Sequence, residues 1–360
     1  MANLLVTGGA GFIGANFVHY WQVAHPGDEV VVLDLLTYAG NRASIPDTEL
    51  VEGDIRDTAL VESLLRDRDI DLLVHFAAES HVDRSIHGPD AFIDTNILGT
   101  HSLLKAARTV WLGGSGRAHH FHHVSTDEVF GSLGPGDPAF NEFTPYAPNS
   151  PYSASKAASD HLVRAYHHTY GLQVTTSNCS NNYGPYQFPE KLIPLFLINA
   201  LHGRPLPIYG DGMQVRDWLH VEDHCRGIDL VIAKGVSGET YNIGGGAELP
   251  NLTVIETLCD AVDAAFAADP ELARRFPDAP AAQGRPSASL KTTVTDRPGH
   301  DRRYAIDESR ARTELGYAPA RDFPTGFAAT LKWYLDNEPW WRAILDGSYR
   351  DWVATNYAAR

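Results

Sequence analysis

The sequence predicts an α/β fold with a doubly wound parallel sheet, and three observations lead to this prediction. A short apolar run, Asn3 to Thr7, leads directly into the glycine-rich stretch GGAGFIG. A helical apolar pattern over Phe12 to Ala24 and a second apolar strand, Glu29 to Asp34, follow within about thirty residues, as in a dinucleotide-binding unit. Further strands alternate with helices, which implies a sheet covered on both faces. The predicted fold is therefore of the Rossmann type.

The pattern continues along the first half of the chain. The predicted elements are a strand at Leu50 to Glu52, a helix over Asp57 to Asp67, a strand at Asp71 to Phe76, a helix over Ala91 to Val110, a strand at His120 to Ser125, a helix over Tyr152 to Tyr170 and a strand at Gln173 to Asn178. A loop rich in glycine and proline, Gly131 to Pro151, precedes the last helix.

The regular alternation of strands and helices ends after Asn178, and the turn-rich run NNYGPYQFPEKLIP follows. Asp217 to Ile232 is predicted as a helix and Glu239 to Gly245 as a strand returning to the main sheet. The segment Ala268 to Leu290, with its four prolines, is predicted as a surface loop. We predict an NAD-binding domain over residues 1–178, with 217–245 returning to it. A mainly helical substrate-binding domain is predicted over 179–216 and 246–360.

Composition narrows the class of partner. The chain has 360 residues, 43% of them hydrophobic, and a net charge of −16, which argues against nucleic acid and against an anionic membrane surface. No apolar run is long enough to span a bilayer. The three cysteines, Cys179, Cys225 and Cys259, are widely spaced, as expected for reduced thiols. These features predict a soluble, cytoplasmic protein.

The glycine-rich turn is a candidate cofactor site. Gly8, Gly11 and Gly14 stand three apart, where glycines permit a tight turn, close approach to a pyrophosphate and close helix packing. Asp34 ends the second strand, where a carboxylate accepts hydrogen bonds from ribose hydroxyls and repels a 2′-phosphate. This placement favours NAD over NADP. Asp54 follows the third strand and either reaches the adenine or starts a turn.

The stretch FHHVSTDEVFG carries the candidate catalytic groups. Thr126, Asp127 and Glu128 follow an apolar strand, at the end where open α/β sheets bind ligands. Two adjacent carboxylates suit a reaction that needs a proton donor and a proton acceptor, although an acidic turn is the structural alternative. Tyr152 and Lys156 share one face of a helix, where an ammonium is expected to lower the pKa of a phenol.

Seventeen histidines raise the question of a metal site. His122 and His123 alternate faces on a strand, and His167 and His168 diverge on a helix, so neither pair converges on one ion. We therefore predict no metal.

Several longer strings carry a family resemblance. They are FAAESHVDRS (Phe76 to Ser85), STDEVFG, YSASK, NNYGPYQFPEKLIP, LPIYGDGMQVRDW (Leu206 to Trp218) and DRPGHDRRYAID (Asp296 to Asp307). Together they resemble the extended short-chain dehydrogenase/reductase family, and within it the nucleotide-sugar 4,6-dehydratases that act on dTDP-glucose. The resemblance runs from the N-terminus to about Trp341 and is interrupted only by the segment Ala268 to Leu290.

The resemblance implies a dehydration with no net redox change. Tyr152, helped by Lys156 and Thr126, would take the proton of the sugar 4-hydroxyl while a hydride passes to NAD. Glu128 would then remove the C5 proton, and protonated Asp127 would donate to the departing C6 hydroxyl. Return of the hydride to C6 would give a 4-keto-6-deoxy sugar.

The resemblance also implies two sets of binding residues. Contacts with NAD are expected from Gly8, Gly11, Phe12, Ile13, Gly14, Asp34, Leu35, Leu36, Thr37, Asp54, Ile55, Phe76, Ala77, Ala78, Ser80, Thr95, Tyr152, Lys156 and Asn182. Contacts with the nucleotide sugar are expected from Ser80, His81, Thr126, Asp127, Glu128, Asn181, Lys191, Leu192, Pro207, Ile208, Tyr209, Arg216, Asn251, Arg297 and His300. Among them, Lys191, Arg216 and Arg297 suit a diphosphate.

Three alternatives remain open from the sequence. A nucleotide-sugar 4-epimerase or a decarboxylase of the same family would share the glycine turn and the Tyr-Lys pair, and a non-catalytic NAD-binding sensor would share the fold. The resemblance further implies a homodimer formed through a four-helix bundle by the helices near Ala91 to Val110 and Tyr152 to Tyr170. A role of these helices in the core alone is the alternative.

Overall fold

The main sheet of the computed structural model contains seven parallel strands. The structure describes residues 2–116, 118–296 and 300–345. Numbered along the whole chain, the strands of this sheet are β1 (Asn3–Thr7), β2 (Glu29–Asp34), β3 (Glu49–Glu52), β4 (Leu72–His75), β5 (His120–Thr126), β6 (Val174–Cys179) and β10 (Thr240–Ile243). Their order is β10-β6-β5-β4-β1-β2-β3, so that the chain starts in the middle of the sheet and winds outwards both ways.

Helices cover both faces of this sheet. They are α1 (Phe12–Ala24), α2 (Thr58–Asp67), α5 (Thr100–Ala107), α6 (Pro151–Tyr170) and α8 (Val221–Lys234). Alternate residues of β1 face opposite sides: Leu4 and Val6 pack with α1 and α8, whereas Leu5 packs with α2, α5 and α6. Two apolar layers therefore enclose the strands, and the predicted doubly wound fold is confirmed.

The helix predicted over Ala91 to Val110 is longer and less regular than expected. After the short helix α3 (Val82–His87), a continuous helical stretch begins with α4 (Asp90–Phe92) and ends at Ser115. π-helical turns at Ile93–Gly99 and Arg108–Ser115 flank α5. Such turns re-aim side chains within a helix, and the first of them contains Thr95 and Asn96.

The second half of the chain builds a separate apolar core. Its strands form two small sheets, one ordered β11 (Glu248–Pro250), β9 (Val215–His220), β7 (Asn181–Tyr183), the other pairing β8 (Leu206–Tyr209) with β12 (Lys291–Val294). Its helices are α7 (Leu192–Leu201), α9 (Asn251–Ala268), α10 (Glu271–Arg275), α11 (Phe323–Asp336) and α12 (Glu338–Ile344). The described residues contain no helix long and apolar enough to cross a membrane.

Two predictions for this half were wrong. Residues 217–220 belong to β9, because they pair with β7 and β11 outside the main sheet; only the part from Val221 onwards is helical. The segment Ala268 to Leu290 is not a surface loop, because it forms α10 and two 3₁₀ turns that bury Leu272 and Phe276 in the second core. Three of its prolines, Pro270, Pro280 and Pro286, each stand directly before a helical turn, a position that proline tolerates.

The chain crosses between the main sheet and the small three-stranded sheet at three short connections. Ser180 alone separates β6 from β7, α8 follows β9 without an intervening residue, and residues 244–247 connect β10 to β11. The two halves therefore meet beside the ends of β5 and β6, where the predicted catalytic residues lie. The division into two domains at the predicted boundaries remains a prediction.

Candidate active site

The glycine turn after β1 lies in direct contact with the residues that follow β4. Gly8 has a φ of +71°, and a Cβ there would be 2.5 Å from the backbone nitrogen of Ala77. A Cβ on Gly14 would be 2.3 Å from the carbonyl oxygen of Gly8. Helix α1 begins after Gly11 without a side-chain cap, so its first backbone N–H groups remain available to a phosphate. The turn therefore fits a dinucleotide pyrophosphate.

Asp34 closes this turn from the end of β2. Its carboxylate accepts hydrogen bonds from the backbone N–H of Ala10 at 2.9 Å and of Leu36 at 2.8 Å, one at each oxygen. Burial raises the pKa of Asp34, and these two bonds oppose the rise. Each carboxylate oxygen has a further lone pair for a ribose hydroxyl, so Asp34 fits the predicted role as well as shaping the loop.

Asp54 differs from Asp34 in that its carboxylate is already engaged by a cation. Arg56 donates to it from both Nε and Nη2, at 2.9 and 2.6 Å, and lowers its pKa. Of the two roles considered for Asp54, the start of a turn therefore has direct support. A contact with the adenine stays a prediction. Thr95 lies in the π-helical turn before α5, and Asn182 lies in β7, where its Oδ1 contacts Nδ1 of His224 at 3.0 Å.

The three predicted catalytic residues at the end of β5 differ in burial. Thr126 is the last residue of the strand, and Asp127 starts a short 3₁₀ turn, Asp127–Phe130. The Thr126 hydroxyl lies 3.4 Å from Oδ1 of Asp127 and accepts a bond from the Glu128 N–H at 3.3 Å. Asp127 is 2% exposed, whereas Glu128 is partly exposed and lines a cavity. Two adjacent carboxyls thus occupy two different environments.

Asp127 is held in its protonated form by its surroundings. Burial is the largest cause of a pKa well above the ordinary value, and Glu128 and Asp217 add to it, while Arg216 opposes it. The Oδ2 atom of Asp127 is buried and has no hydrogen-bond partner among the described residues. A carboxyl that keeps its proton near neutral pH can act as a general acid.

Tyr152 and Lys156 lie on the first two turns of α6, facing the end of β5. Ser150 caps this helix through a reciprocal pair of bonds with Ser153, which fixes where it begins. Lys156 is buried and donates from Nζ to the carbonyl of Val124 at 2.9 Å. The structure thus brings Tyr152 close enough to Thr126 for the hydroxyl to favour a lower pKa of the phenol.

The pKa of the Tyr152 phenol is raised, although a neighbouring Lys156 was expected to lower it. The pKa of Tyr152 is raised well above its ordinary value, first by burial and then by Glu128 and Cys179, and only the hydrogen bond from Thr126 is seen to oppose the rise. Burial therefore sets the direction of the shift in the pKa of Tyr152. The sequence could not reveal this because the pKa depends on how deeply the fold buries the ring.

Most of the predicted substrate residues surround one cavity of about 160 Å³. Its predicted members are His81, Glu128, Asn181, Lys191, Leu192, Pro207, Ile208, Tyr209, Arg216, Asn251 and His300. Ser80 lies beside it, since its carbonyl accepts a bond from Nζ of Lys191 at 3.0 Å. Arg297 lies outside the described residues. Thr126 and Asp127 are not among the residues that line the cavity; they directly precede the lining residue Glu128 in the sequence.

Other lining residues were not predicted. They are Val82, Asp83, Glu190, Leu195, Phe196, Gly212, Gln214, Trp218, Ile255 and Tyr304. Tyr304 stacks under Arg216, with the guanidinium carbon 4.3 Å from the ring centre. Glu190 is buried and lies 3.1 Å from Nε of Arg84. Several of them stand inside the strings quoted above, but only the folded chain shows which members face the cavity.

A wider cleft of about 610 Å³ contains none of the predicted residues. Its carboxylates already have partners: Glu248 pairs with Arg303 at 2.6 Å and Glu308 with Arg312 at 2.7 Å. Across the described ranges, no group of three or more His, Cys, Asp or Glu side chains is arranged to hold a metal ion. The cavity beside Glu128 is therefore the candidate active site.

Comparisons with known proteins agree with this site. Residues 5–330 match the family described as GDP-mannose 4,6 dehydratase. The dTDP-glucose 4,6-dehydratase of Xanthomonas campestris pv. campestris is 56% identical over 359 residues, covering 97% of this chain and 98% of that protein. A crystal structure of the dTDP-glucose 4,6-dehydratase DesIV of Streptomyces venezuelae with NAD bound has a TM-score of 0.84 at 48% identity, covering 95% of this chain and 99% of that one.

An epimerase shares the fold at lower identity. The UDP-glucose 4-epimerase of Thermotoga maritima, solved with UDP-glucose, has a TM-score of 0.79 at 25% identity, covering 93% of this chain and 99% of that chain. The family resemblance inferred from the sequence is confirmed by the matches at higher identity.

The raised pKa of Asp127 predicts an unusual dependence of stability on pH. The folded state keeps a proton that the unfolded chain loses near pH 4, so the stabilisation is complete below about that pH and declines as pH rises towards the folded pKa. We expect Asp127→Asn, which cannot ionise, to exceed the wild type in free energy of unfolding by about 1–3 kcal/mol at about pH 8, and by less at about pH 5.

Urea unfolding at several pH values measures this difference. Asp211→Asn is the control, because Asp211 is exposed and its pKa is lowered by Arg302, so the sign of any effect reverses. A difference between Asp127→Asn and the wild type that stays constant with pH would contradict the assignment of a retained proton.

Proposed function

The chain belongs to the GDP-mannose 4,6 dehydratase family, and on this premise we propose that it converts dTDP-glucose to dTDP-4-keto-6-deoxyglucose. In this proposal it is an NAD-dependent lyase that removes one molecule of water. The observation that carries the proposal is the pair Asp127 and Glu128, because one carboxyl is buried, which raises its pKa, and the other lines the cavity. A reaction that eliminates water needs an acid and a base of this kind on adjacent carbons.

When bound, NAD would supply the acceptor for the C4 hydride and the donor of a hydride to C6. The residues that would hold it are the glycine turn, with its uncapped helix terminus, and Asp34. The solved DesIV structure contains NAD, which supports the same cofactor here.

The first proton leaves the sugar 4-hydroxyl for Tyr152. Burial raises the pKa of this phenol, so its deprotonated form needs support from the Thr126 hydroxyl and from the charge of Lys156, one turn away on α6. The C4–O bond becomes a carbonyl as C4 loses its hydride. The new ketone then acidifies the proton on C5.

The second step removes water across C5 and C6. Glu128 takes the C5 proton, the electrons of the C5–H bond form a double bond to C6, and the C6–O bond breaks. Asp127 protonates the departing hydroxyl, so that water leaves instead of hydroxide. Hydride addition to C6 and a proton to C5 complete the 6-deoxy sugar and leave the redox balance unchanged.

The groups that line the cavity suit a nucleotide sugar with a diphosphate. Lys191 and Arg216 place cations on its wall, and the strand residues Pro207 to Tyr209 would lie along the base. The 4-epimerase alternative accounts for the fold and for Tyr152 and Lys156. It gives no use to a protonated Asp127 beside Glu128, because no water leaves in an epimerisation.

Turnover of three nucleotide sugars tests the proposed function. We expect the protein with NAD to convert dTDP-glucose to a product that is lighter by one water, and to convert UDP-glucose and GDP-mannose much more slowly. Mass spectrometry of the products measures this directly. A product of unchanged mass would support the epimerase. Faster dehydration of GDP-mannose than of dTDP-glucose would make GDP-mannose the assigned substrate.

Glu128→Gln separates the two halves of the reaction. This variant keeps the shape of the cavity but loses the base, so NADH should form and persist while elimination slows by about 100-fold to 10,000-fold. Stopped-flow absorbance of NADH and the mass of the product report the two steps. Thr126→Val is the matched variant and should instead slow NADH formation. Full turnover by Glu128→Gln would remove Glu128 from the role of base.

We also infer that the protein is a cytoplasmic homodimer, paired through the helices near 90–115 and 151–170. Ile93, Leu98 and Leu112 are large apolar side chains on the first of these segments, and each is at least 40% exposed. Tyr170 at the end of α6 is also exposed. A four-helix interface would remove this surface from water. The three buried free thiols fit a reducing compartment.

Leu98→Glu tests the dimer. A carboxylate in an apolar interface is costly to bury, so this variant should sediment as a monomer at concentrations where the wild type is a dimer. Phe143→Glu is the matched control, since Phe143 is 84% exposed but lies in the loop before α6. Wild-type protein that sediments as a monomer would contradict the inference.

A further inference from the structure

The ammonium of Lys156 is buried against a neutral partner. Its Nζ donates to the carbonyl of Val124 at 2.9 Å, and a carbonyl carries no charge that would balance the cation. Burial lowers the pKa of Lys156, and the largest opposing influence is Asp160, followed by Cys179. A buried cation persists only where an anion compensates for the lost hydration.

Asp160 stands one turn after Lys156 on α6 and is itself 6% exposed. Its Oδ1 lies 2.9 Å from Nε2 of His123, and its Oδ2 accepts from the hydroxyls of Ser125 at 2.8 Å and Tyr146 at 3.0 Å. Burial raises the pKa of Asp160 to about 6, so the carboxyl is ionised at neutral pH. This carboxylate is thus held by β5 and by the loop that precedes α6.

The titratable groups around this pair come from four elements. Burial keeps the pKa of His75 on β4 and of His123 on β5 well below the ordinary value, so both imidazoles are neutral. Burial raises the pKa of the Cys179 thiol on β6, which is therefore neutral as well. His161 follows Asp160 on α6 and is exposed. Among the buried groups facing Lys156, Asp160 is the one that carries a negative charge.

We propose that Asp160 is a positioning residue for the oxidation step. Its carboxylate lies one turn from Lys156 on the same face of α6, offsets the buried ammonium at longer range than a direct ion pair, and holds α6 against the catalytic end of β5. The proposal rests on the proposed function, because that function assigns Tyr152 and Lys156 to the removal of the 4-hydroxyl proton. Asp160 makes no contact with the substrate cavity; it acts through Lys156 and through Ser125, the residue before Thr126.

The physical consequence follows from charge. Without the carboxylate, the ammonium keeps its bond to the Val124 carbonyl but has no buried negative charge one turn away on α6, and a buried lysine in that situation loses its proton near neutral pH. Tyr152 then loses its neighbouring cation, and its phenol ionises only at higher pH. Oxidation of the sugar therefore slows at neutral pH and recovers in part as the pH is raised.

Asp160→Asn tests the proposal because it removes the charge and preserves the shape. Rapid mixing of the NAD-loaded enzyme with dTDP-glucose gives the rate of NADH formation as a function of pH. We expect a rate lowered about 10-fold to 100-fold at neutral pH and an acidic limb moved upward by about one pH unit. Tyr146→Phe, compared at about pH 8, is the matched control, since it removes one bond to the same carboxylate at a pH well above the Asp160 pKa of about 6, where the charge remains.

A double-mutant cycle with Lys156→Met separates the charge role from a merely structural one. If Asp160 acts through the ammonium, Asp160→Asn adds no further loss to Lys156→Met, whereas independent effects multiply. An unshifted pH profile, or full additivity, would overturn the proposal. Wild-type enzyme that forms no NADH from dTDP-glucose would instead contradict the proposed function.

The fold of each variant is checked by its NAD content and its thermal unfolding. If Asp160→Asn does not accumulate as folded protein, Asp160→Ser replaces it, because a smaller neutral side chain leaves room for a water molecule. Failure of both variants to fold would show that the carboxylate is needed for folding and would overturn its positioning role.

Discussion

One buried hydrogen bond, from the Lys156 ammonium to the Val124 carbonyl, joins the two elements on which the candidate chemistry depends. It ties α6, which carries Tyr152, to the end of β5, which carries Thr126 and Asp127. Asp160 holds the same two elements one turn further along. The relative placement of base, hydroxyl and acid is thus set by contacts between helix and strand, and these contacts lie under the substrate cavity instead of inside it.

The contrast between Asp127 and Glu128 arises from depth and not from residue type. Both are carboxyls in one short turn, but Asp127 faces Asp217 in the protein and Glu128 faces the cavity. Each ionised neighbour makes the loss of a second proton more costly, so one carboxyl keeps its proton and the other is exposed to substrate.

Local patterns predicted the main sheet because its helices and strands are periodic and its glycine turn has a strict steric requirement. The predicted catalytic residues come from strings that are short and contiguous; they are Thr126, Asp127, Glu128, Tyr152 and Lys156. Three features depended on distant partners and were missed or misread: β9, which needs β7 and β11, the packed turns after α9, and the raised pKa of Tyr152. Pairing, packing and burial are properties of the folded chain, and no local window of sequence contains them.

The three short connections between the main sheet and the small sheet have a mechanical consequence. A single linker would allow the two halves to rotate about a hinge. Three neighbouring connections between the two sheets restrict such a rotation. We expect a ligand to enter this cavity through local movement of the cavity rim, with little change in the distance between the glycine turn and the cavity. Such stiffness suits a reaction in which one hydride must leave one carbon and arrive at another.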